Sequence, residues 1–221
     1  MQGSVDDKIL ADLCGKPVFS HVFSAFAHPA CIGAIAIVYR DQTQKAQLAA
    51  LLDASTTSKT LWVPGGEERQ DSVLRGLEAL PEDTALTLIH DCARPRITPD
   101  LIENLIATAR EDGAAALAHP VTDTIKRIPE PGSLRTCTLE DLERNRLWAM
   151  ETPQCFRHAD ILRAYRHVKA KGLRITDDCG AAASIGIGTT LVPNEAPNPK
   201  ITTAADLSYL RWLLRQRPGE V

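Results

Sequence analysis

The chain lacks a surplus of basic charge. It carries 25 Lys plus Arg against 28 Asp plus Glu in 221 residues, a formal charge of −3. A dedicated nucleic-acid binder needs a basic face to neutralise phosphates, and this balance argues against one. A small anionic ligand needs only two or three local cations and stays open. The chain also lacks any apolar run near the ~20 residues that cross a bilayer, so no membrane partner is expected. Residues 1–8 include Asp6 and Asp7 and no apolar stretch, unlike a signal peptide. A cytoplasmic protein is therefore expected. Cysteine pairs are missing too. No two of Cys14, Cys31, Cys92, Cys137, Cys155 and Cys179 lie closer than 17 positions, which excludes a CxxC zinc or redox motif. A chain of this size needs no covalent staples, so the thiols are expected reduced. Repeats and low-complexity segments are absent.

What is present is ordinary globular composition, 44 % hydrophobic and 24 % charged, enough for one domain over residues 1–221. Helix-like and strand-like segments alternate. Residues 17–26 read as a helix, with Pro17 in its first turn and Val18, Val22 and Phe26 on one face. Residues 34–39, 60–63, 85–89, 114–119 and 189–192 are short apolar runs of the kind buried in parallel sheets. Helices are expected between them at 44–52, 69–80 and 99–112, and later at 158–170, 177–185 and 203–215. Thr98, Pro99 and Asp100 mark one helix start, and Gly113 marks its stop. The stretch 120–148 has no helical period and carries a turn signal at 129–132, so it reads as a protruding β arm. The alternation predicts a doubly wound, mostly parallel α/β sheet.

In such sheets ligands bind beyond the carboxyl ends of the strands. Three segments sit there. Pro64-Gly65-Gly66-Glu67-Glu68-Arg69-Gln70-Asp71-Ser72 leaves a strand and opens a helix, where glycines and free amides suit an anion or a carbonyl. An ordinary turn, with Ser72 as a cap, is the plainer alternative. His90-Asp91-Cys92-Ala93-Arg94 follows a buried strand, where a carboxylate suits Mg²⁺ or a ribose hydroxyl. A structural Asp–Arg brace is its alternative. Asp123-Thr124-Ile125-Lys126-Arg127 heads the arm with a hydroxyl and two cations, a phosphate grip or simply a solvated surface. Ile175-Thr176-Asp177-Asp178 reads as a helix cap. Lys200 is either an α-phosphate ligand or a surface lysine.

Taken in order, these segments resemble one family, the 2-C-methyl-D-erythritol 4-phosphate cytidylyltransferases of non-mevalonate isoprenoid synthesis. The likeness rests on Leu13-Cys14-Gly15-Lys16-Pro17, Gly65-Gly66-x-x-Arg69-x-x-Ser72, His90-Asp91-x-Ala93-Arg94-Pro95 and Asp123-Thr124-Ile125-Lys126-Arg127. It continues through Arg144-Asn145-x-Leu147-Trp148, Thr152-Pro153-Gln154, Thr176-Asp177-Asp178 and Lys200-Ile201-Thr202-Thr203. The resemblance implies a Rossmann-like nucleotidyltransferase sheet and cytidylyl transfer from CTP to methylerythritol phosphate. It implies Gly66, Glu67 and Ser72 around the cytosine, Asp91 and Cys92 near the ribose, and Asp91 as the ligand of Mg²⁺ or another divalent cation. Thr124, Lys126 and Arg144 would meet the acceptor phosphate, across a homodimer interface formed by the arms. Lys8 and Lys200 would flank the α-phosphate as the catalytic pair. Lys8, Arg94, Lys126, Arg127, Arg144 and Lys200 are the cations such a site would draw on.

The same resemblance exposes departures. The family opens with a buried strand and a Gly-rich loop of the type Ala-Ala-Gly-x-Gly-x-Arg, which is not found here. On that pattern Met1 matches an internal methionine, and the chain is short by roughly 15–20 residues on usual element lengths. A sheet without that strand is expected to carry unpaired edges and an open apolar slot, to fold poorly and to turn over little. Glu67 stands for the usual Asp, Cys92 for the usual Ala, and Pro197 and Pro199 precede Lys200. A ribitol-5-phosphate cytidylyltransferase and an inactive nucleotide-binding paralogue are the alternatives.

Overall fold

The computed structural model describes residues 7–27, 29–129 and 135–216. The chain begins with a small hairpin, β1 (Asp12–Leu13) against β2 (Lys16–Pro17). Cys14 and Gly15 make its turn with positive φ. Helix α1 (Val18–Ala27) follows at once. Then come β3 (Ile35–Tyr39), α2 (Gln42–Ala49), the single turn α3 (Ala54–Thr57), β4 (Thr60–Pro64) and α4 (Arg69–Ala79). Strand β5 (Leu86–Ile89) leads to α5 (Pro99–Asp112) and β6 (Ala114–Pro120). The local signals for α5 act as expected. Thr98 Oγ1 accepts from the Leu101 N–H, Pro99 occupies the first turn, and Gly113 ends the helix at φ 91°.

Beyond β6 the arm holds β7 (Lys126–Arg127), β8 (Glu140–Asp141) and a 3-10 turn at Arg144–Arg146. The turn expected at 129–132 lies largely outside the described residues. Then come β9 (Trp148–Arg157), α6 (His158–Lys171), α7 (Asp178–Ala183), β10 (Thr190–Pro193) and α8 (Ala204–Arg215). Three elements were not expected: the β1–β2 hairpin, α3 and β9.

The main sheet has the order β10-β6-β9-β5, with β9 antiparallel to both neighbours and β10 parallel to β6. Strands β3 and β4 form a separate parallel pair. The carboxyl ends of β4 and β5 lie together, since Arg69 just past β4 reaches Asp91 just past β5. Within the main sheet, β9 is the strand that runs antiparallel to its neighbours. Helices cover both faces. Ile102, Leu105 and Ala109 of α5 pack with Ala115, Leu117 and Cys155 on one side. Leu74, Leu77, Ile161, Tyr165 and Val168 of α4 and α6 pack with Ala114 and Phe156 on the other. The alternation 114/115 and 155/156 is the period-2 geometry of strands. Helix α8 closes a third cluster with Leu13, Val18, Ala93 and Ile201.

The two sheets do not meet. Strand β3 pairs only with β4, and β5 only with β9, so each has one edge without a strand partner among the described residues. Between these edges lies a cavity of about 1070 Å³ lined by residues 35–38 and 86–89, with Phe23 and Phe26 of α1 and Gly76 of α4. Among the described residues this slot is open and largely apolar. No helix among the described residues is long and apolar enough to cross a membrane.

Candidate active site

The slot opens at its carboxyl end onto Arg69, Ser72, His90, Asp91 and Cys92. There the sheet delivers its loops. Gly65 follows β4, and its N–H donates to Tyr39 O at 2.8 Å. Gly66 packs so tightly that a Cβ would sit 2.3 Å from Asp71 Cβ, so only glycine fits without a shift. Its N–H donates to Ser72 Oγ at 2.9 Å. Ser72 therefore braces the glycine turn from the first turn of α4. Arg75 Nη1 donates to Gly65 O at 2.6 Å and holds the turn from the other side. Glu67 is exposed on this loop.

Asp91 is the centre of the polar cluster. Lys200 Nζ donates to its Oδ2 at 2.6 Å, and Arg69 Nε reaches its Oδ1 at 3.4 Å. Burial works to raise the Asp91 pKa, but the Lys200 hydrogen bond and the charges of Lys200 and Arg69 outweigh it and hold the carboxyl below its usual range. Lys200 remains 37 % exposed, so its ammonium can also meet a ligand from solvent.

Arg69 is itself held. Its Nη1 and Nη2 donate to the two oxygens of Asp178, both at 2.9 Å. Asp178 is fully buried and also accepts from the Tyr165 hydroxyl. This fork pairing suits the planar guanidinium. It fixes an arginine above the first turn of α4 at the mouth of the slot. Sequence reading took Thr176-Asp177-Asp178 as a cap, and Asp177 does cap α7 through the Gly180 N–H at 2.9 Å. The next residue turns inward instead. Two adjacent acids at one helix start are the available hint, because only one of them can cap.

His90 and Thr152 back the cluster. His90 Nε2 faces Arg94 O at 3.1 Å, and its Nδ1 faces Thr152 Oγ1 at 3.2 Å. A carbonyl only accepts, so the ring proton sits on Nε2. The Thr152 hydroxyl then donates to Nδ1 while accepting from the Asp91 N–H at 3.0 Å. Burial lowers the His90 pKa to about 4, so the ring is neutral at pH 7. Burial likewise pushes the Cys92 thiol up to about 12, with the nearby Asp91 and Asp7 adding to it. Cys92 is thus a protonated neighbour and no nucleophile.

No hydrogen bond or ion pair ties the other expected residues to the Asp91 carboxylate among the described residues, although Asp7 and Ile9 bring the turn that carries Lys8 up to Cys92. Lys8 stands half-buried in the turn closed by the Leu10 N–H on Asp7 O, and its amine has no hydrogen-bond or ion-pair partner among the described residues. Arg94 reaches the segment between β10 and Lys200, with Nη1 on Asn198 O at 2.7 Å. It makes no brace with the Asp91 carboxylate. On the exposed arm Lys126 pairs across the strands with Asp141, and Arg127 with Glu140 at 3.1 Å. Arg144 Nη1 donates to Thr122 O at 3.1 Å, and Thr124 is exposed. None of these arm residues touches the Asp91 cluster. No group of three or more His, Cys, Asp or Glu among the described residues makes a metal cage. Asp91 is a carboxylate at the mouth of the slot, paired with Lys200 and with Arg69. Mg²⁺ is commonly held by one or two carboxylates plus substrate phosphates, and Asp91 fits that mode.

Comparison with known proteins follows the same lines. The family model for 2-C-methyl-D-erythritol 4-phosphate cytidylyltransferase matches residues 1–216. An enzyme of that name from Pelotomaculum thermopropionicum is 36 % identical over 220 residues, 99 % of this chain and 91 % of that one. Another from Synechococcus elongatus is 34 % identical over 97 % of this chain and 91 % of its own length. The crystal structure of the Thermus thermophilus enzyme superposes with a TM-score of 0.77 at 27 % identity, covering 96 % of both chains.

Proposed function

Because the chain belongs to the 2-C-methyl-D-erythritol 4-phosphate cytidylyltransferase family, we infer that it transfers a cytidylyl group from CTP to 2-C-methyl-D-erythritol 4-phosphate. Pyrophosphate leaves, and the product feeds isoprenoid synthesis. An oxygen of the acceptor phosphate forms a bond to the α-phosphorus of CTP as the bond to the pyrophosphate oxygen breaks. Neither group needs deprotonating at neutral pH, so no general base is required. Catalysis is alignment plus neutralisation of a crowded anion.

The observation that carries this reading is the pair of fixed cations, Lys200 and Arg69, beside Asp91 at the carboxyl ends of the strands. Lys200 is assigned to the α-phosphate, with Lys8 as its counterpart from the turn before β1. The glycine turn at Gly66, with Glu67 and Ser72, is assigned to the cytosine. Asp91 and Cys92 take the ribose side. Asp91 is also the residue to hold Mg²⁺, which when bound would neutralise phosphate charge. Thr124, Lys126 and Arg144 are assigned to the acceptor phosphate of a second protomer's site. Their position on an exposed arm, away from their own chain's cluster, supports a homodimer built through the arms. The six unpaired cysteines support a reducing, cytoplasmic setting.

The test is pyrophosphate release from CTP with methylerythritol phosphate or ribitol 5-phosphate as acceptor. Release with the first acceptor, lost by at least 100-fold in Lys200→Ala, supports the assignment. Release with ribitol 5-phosphate alone, or CTP binding without release, overturns it.

A further inference from the structure

Segment 194–200 ends on Lys200 and is unusual in composition. Pro197 and Pro199 straddle Asn198. Proline removes a backbone donor and holds the preceding residue extended, so after the Asn194 N–H on Ala118 O and the Ala196 N–H on Asn194 Oδ1 the stretch has few N–H groups left to tie it down. It is held from outside instead. Arg96 Nη1 donates to Pro197 O at 2.8 Å, and Arg94 Nη1 to Asn198 O at 2.7 Å. The side chains converge on one group. Asn194 Nδ2 donates to Glu151 Oε2 at 2.9 Å and Asn198 Nδ2 to the same oxygen at 2.8 Å. Asn198 gives its second amide hydrogen to Thr152 O at 3.3 Å. His119 Nδ1 meets Glu151 Oε1 at 2.6 Å.

Glu151 itself is 3 % exposed. It is aimed inward by an irregularity in β9. Ala116 pairs with Gln154 and Ala118 with Met150, so the single residue Leu117 opposes residues 151–153. Such a bulge re-aims side chains out of the strand period. Two consecutive residues thereby serve one site. Thr152 receives the Asp91 N–H, and Glu151 gathers the segment whose last residue grips the Asp91 carboxylate.

We propose that Glu151 is a positioning residue for the transfer reaction: it fixes the Asn194–Asn198 loop and through it sets the reach of Lys200. The proposal rests on the function assigned above to Lys200. A buried carboxylate with three groups around it is a strong anchor, because losing it leaves the buried Asn194 amide without its acceptor and Asn198 held by the Thr152 carbonyl alone.

The experiment has two readouts on the full-length chain. The first is hydrogen exchange of the peptide covering 194–201, which needs no turnover. Glu151→Ala is expected to speed its exchange at least 10-fold, and Glu151→Gln to restore it. A glutamine oxygen accepts from both asparagines, and its amide donates to His119 Nδ1 once the ring proton sits on Nε2. The second is kinetics. Glu151→Ala is expected to lower kcat 10- to 100-fold with the KM for CTP changed less than 3-fold. Glu151→Gln is expected within about 3-fold of wild type. In a Lys200→Ala background, Glu151→Ala is expected to cost nothing further. If Glu151→Ala does not fold, Asn198→Ala serves, with a kcat loss of about 5-fold and the same pattern in exchange. Wild-type exchange in these variants overturns the proposal, as does a full additional loss in the Lys200→Ala background. A wild-type chain without transferase activity would overturn the assigned function alone, and the exchange arm would still decide the anchor.

Discussion

Replacing Asp178 with asparagine removes one charge and almost no volume, so it isolates what the buried carboxylate does. Asp178 has no solvent exposure and serves three donors: two Arg69 N–H groups at 2.9 Å and the Tyr165 hydroxyl. An asparagine has one acceptor oxygen. Its amide nitrogen would face an arginine nitrogen, donor against donor. Breaking a fully buried pair from one side costs about 3–5 kcal/mol. Arg69 is 38 % exposed and can recover part of its hydration. The expected loss is therefore lower, about 2–4 kcal/mol. At roughly 2–4 °C per kcal/mol for a chain of this size, Tm should fall by about 4–16 °C. Thermal unfolding followed by circular dichroism measures it. The same change frees Arg69 from its fixed place beside Asp91, so kcat should fall with it. A variant within 2 °C of wild type would show that the Arg69–Asp178 fork contributes no more than a surface pair.

Lys8→Ala should lower turnover far more than it weakens CTP binding, by about 10²-fold against less than 3-fold, if the amine acts on transferring charge; equal losses in a paired kinetic and equilibrium-binding measurement would remove Lys8 from the transfer step. His90 is buried with a pKa of about 4 against 6.5 when unfolded. Its native state binds fewer protons across that window, so stability is complete above pH 6.5 and falls toward pH 4, by about 3 kcal/mol from this group. His90→Asn should flatten that part of a urea-midpoint profile against pH, and an unchanged slope would place the acid sensitivity elsewhere. A chain of residues 1–221, with its apolar slot between β3 and β5, should bind the dye ANS with fluorescence well above a folded control. A signal at buffer level would mean that the slot is closed in solution.

What could be read from the sequence depended on how local the cause was. Helix α5 was legible at both ends because its cap, its first-turn proline and its terminal glycine are neighbours in the chain. The parallel strands were legible because burial on both faces leaves a plain apolar run. Strand β9 was not. Its centre reads Glu151-Thr152-Pro153-Gln154, polar and broken by proline, and nothing local predicts that it pairs with β5 and β6 on either side. Proline is tolerated because it falls in the bulge opposite Leu117, a feature set by the partner strand.

The candidate site divides in the same way. The glycine turn and Asp91 stand out in the sequence because they follow strands, whereas Lys200 is singled out only by the family resemblance; the structure brings Asp91 and Lys200, 109 residues apart in the chain, to 2.6 Å. Counting cations by position misses the partners each one has: Arg94 donates to Asn198 O, Lys126 pairs with Asp141 and Arg127 with Glu140. No sequence rule reveals which carboxylate or carbonyl competes for a given cation, because the competitor sits across a strand pair or on a distant loop. Arg69 shows the opposite error. It was only a motif position in the sequence, and a fully buried acid from another helix makes it one of the two fixed charges at the mouth. What sets Lys200 and Arg69 apart is where the fold fixes them: both lie beside Asp91 at the mouth of the slot, Arg69 through its fork on Asp178, while Lys126 and Arg127 sit on the exposed arm.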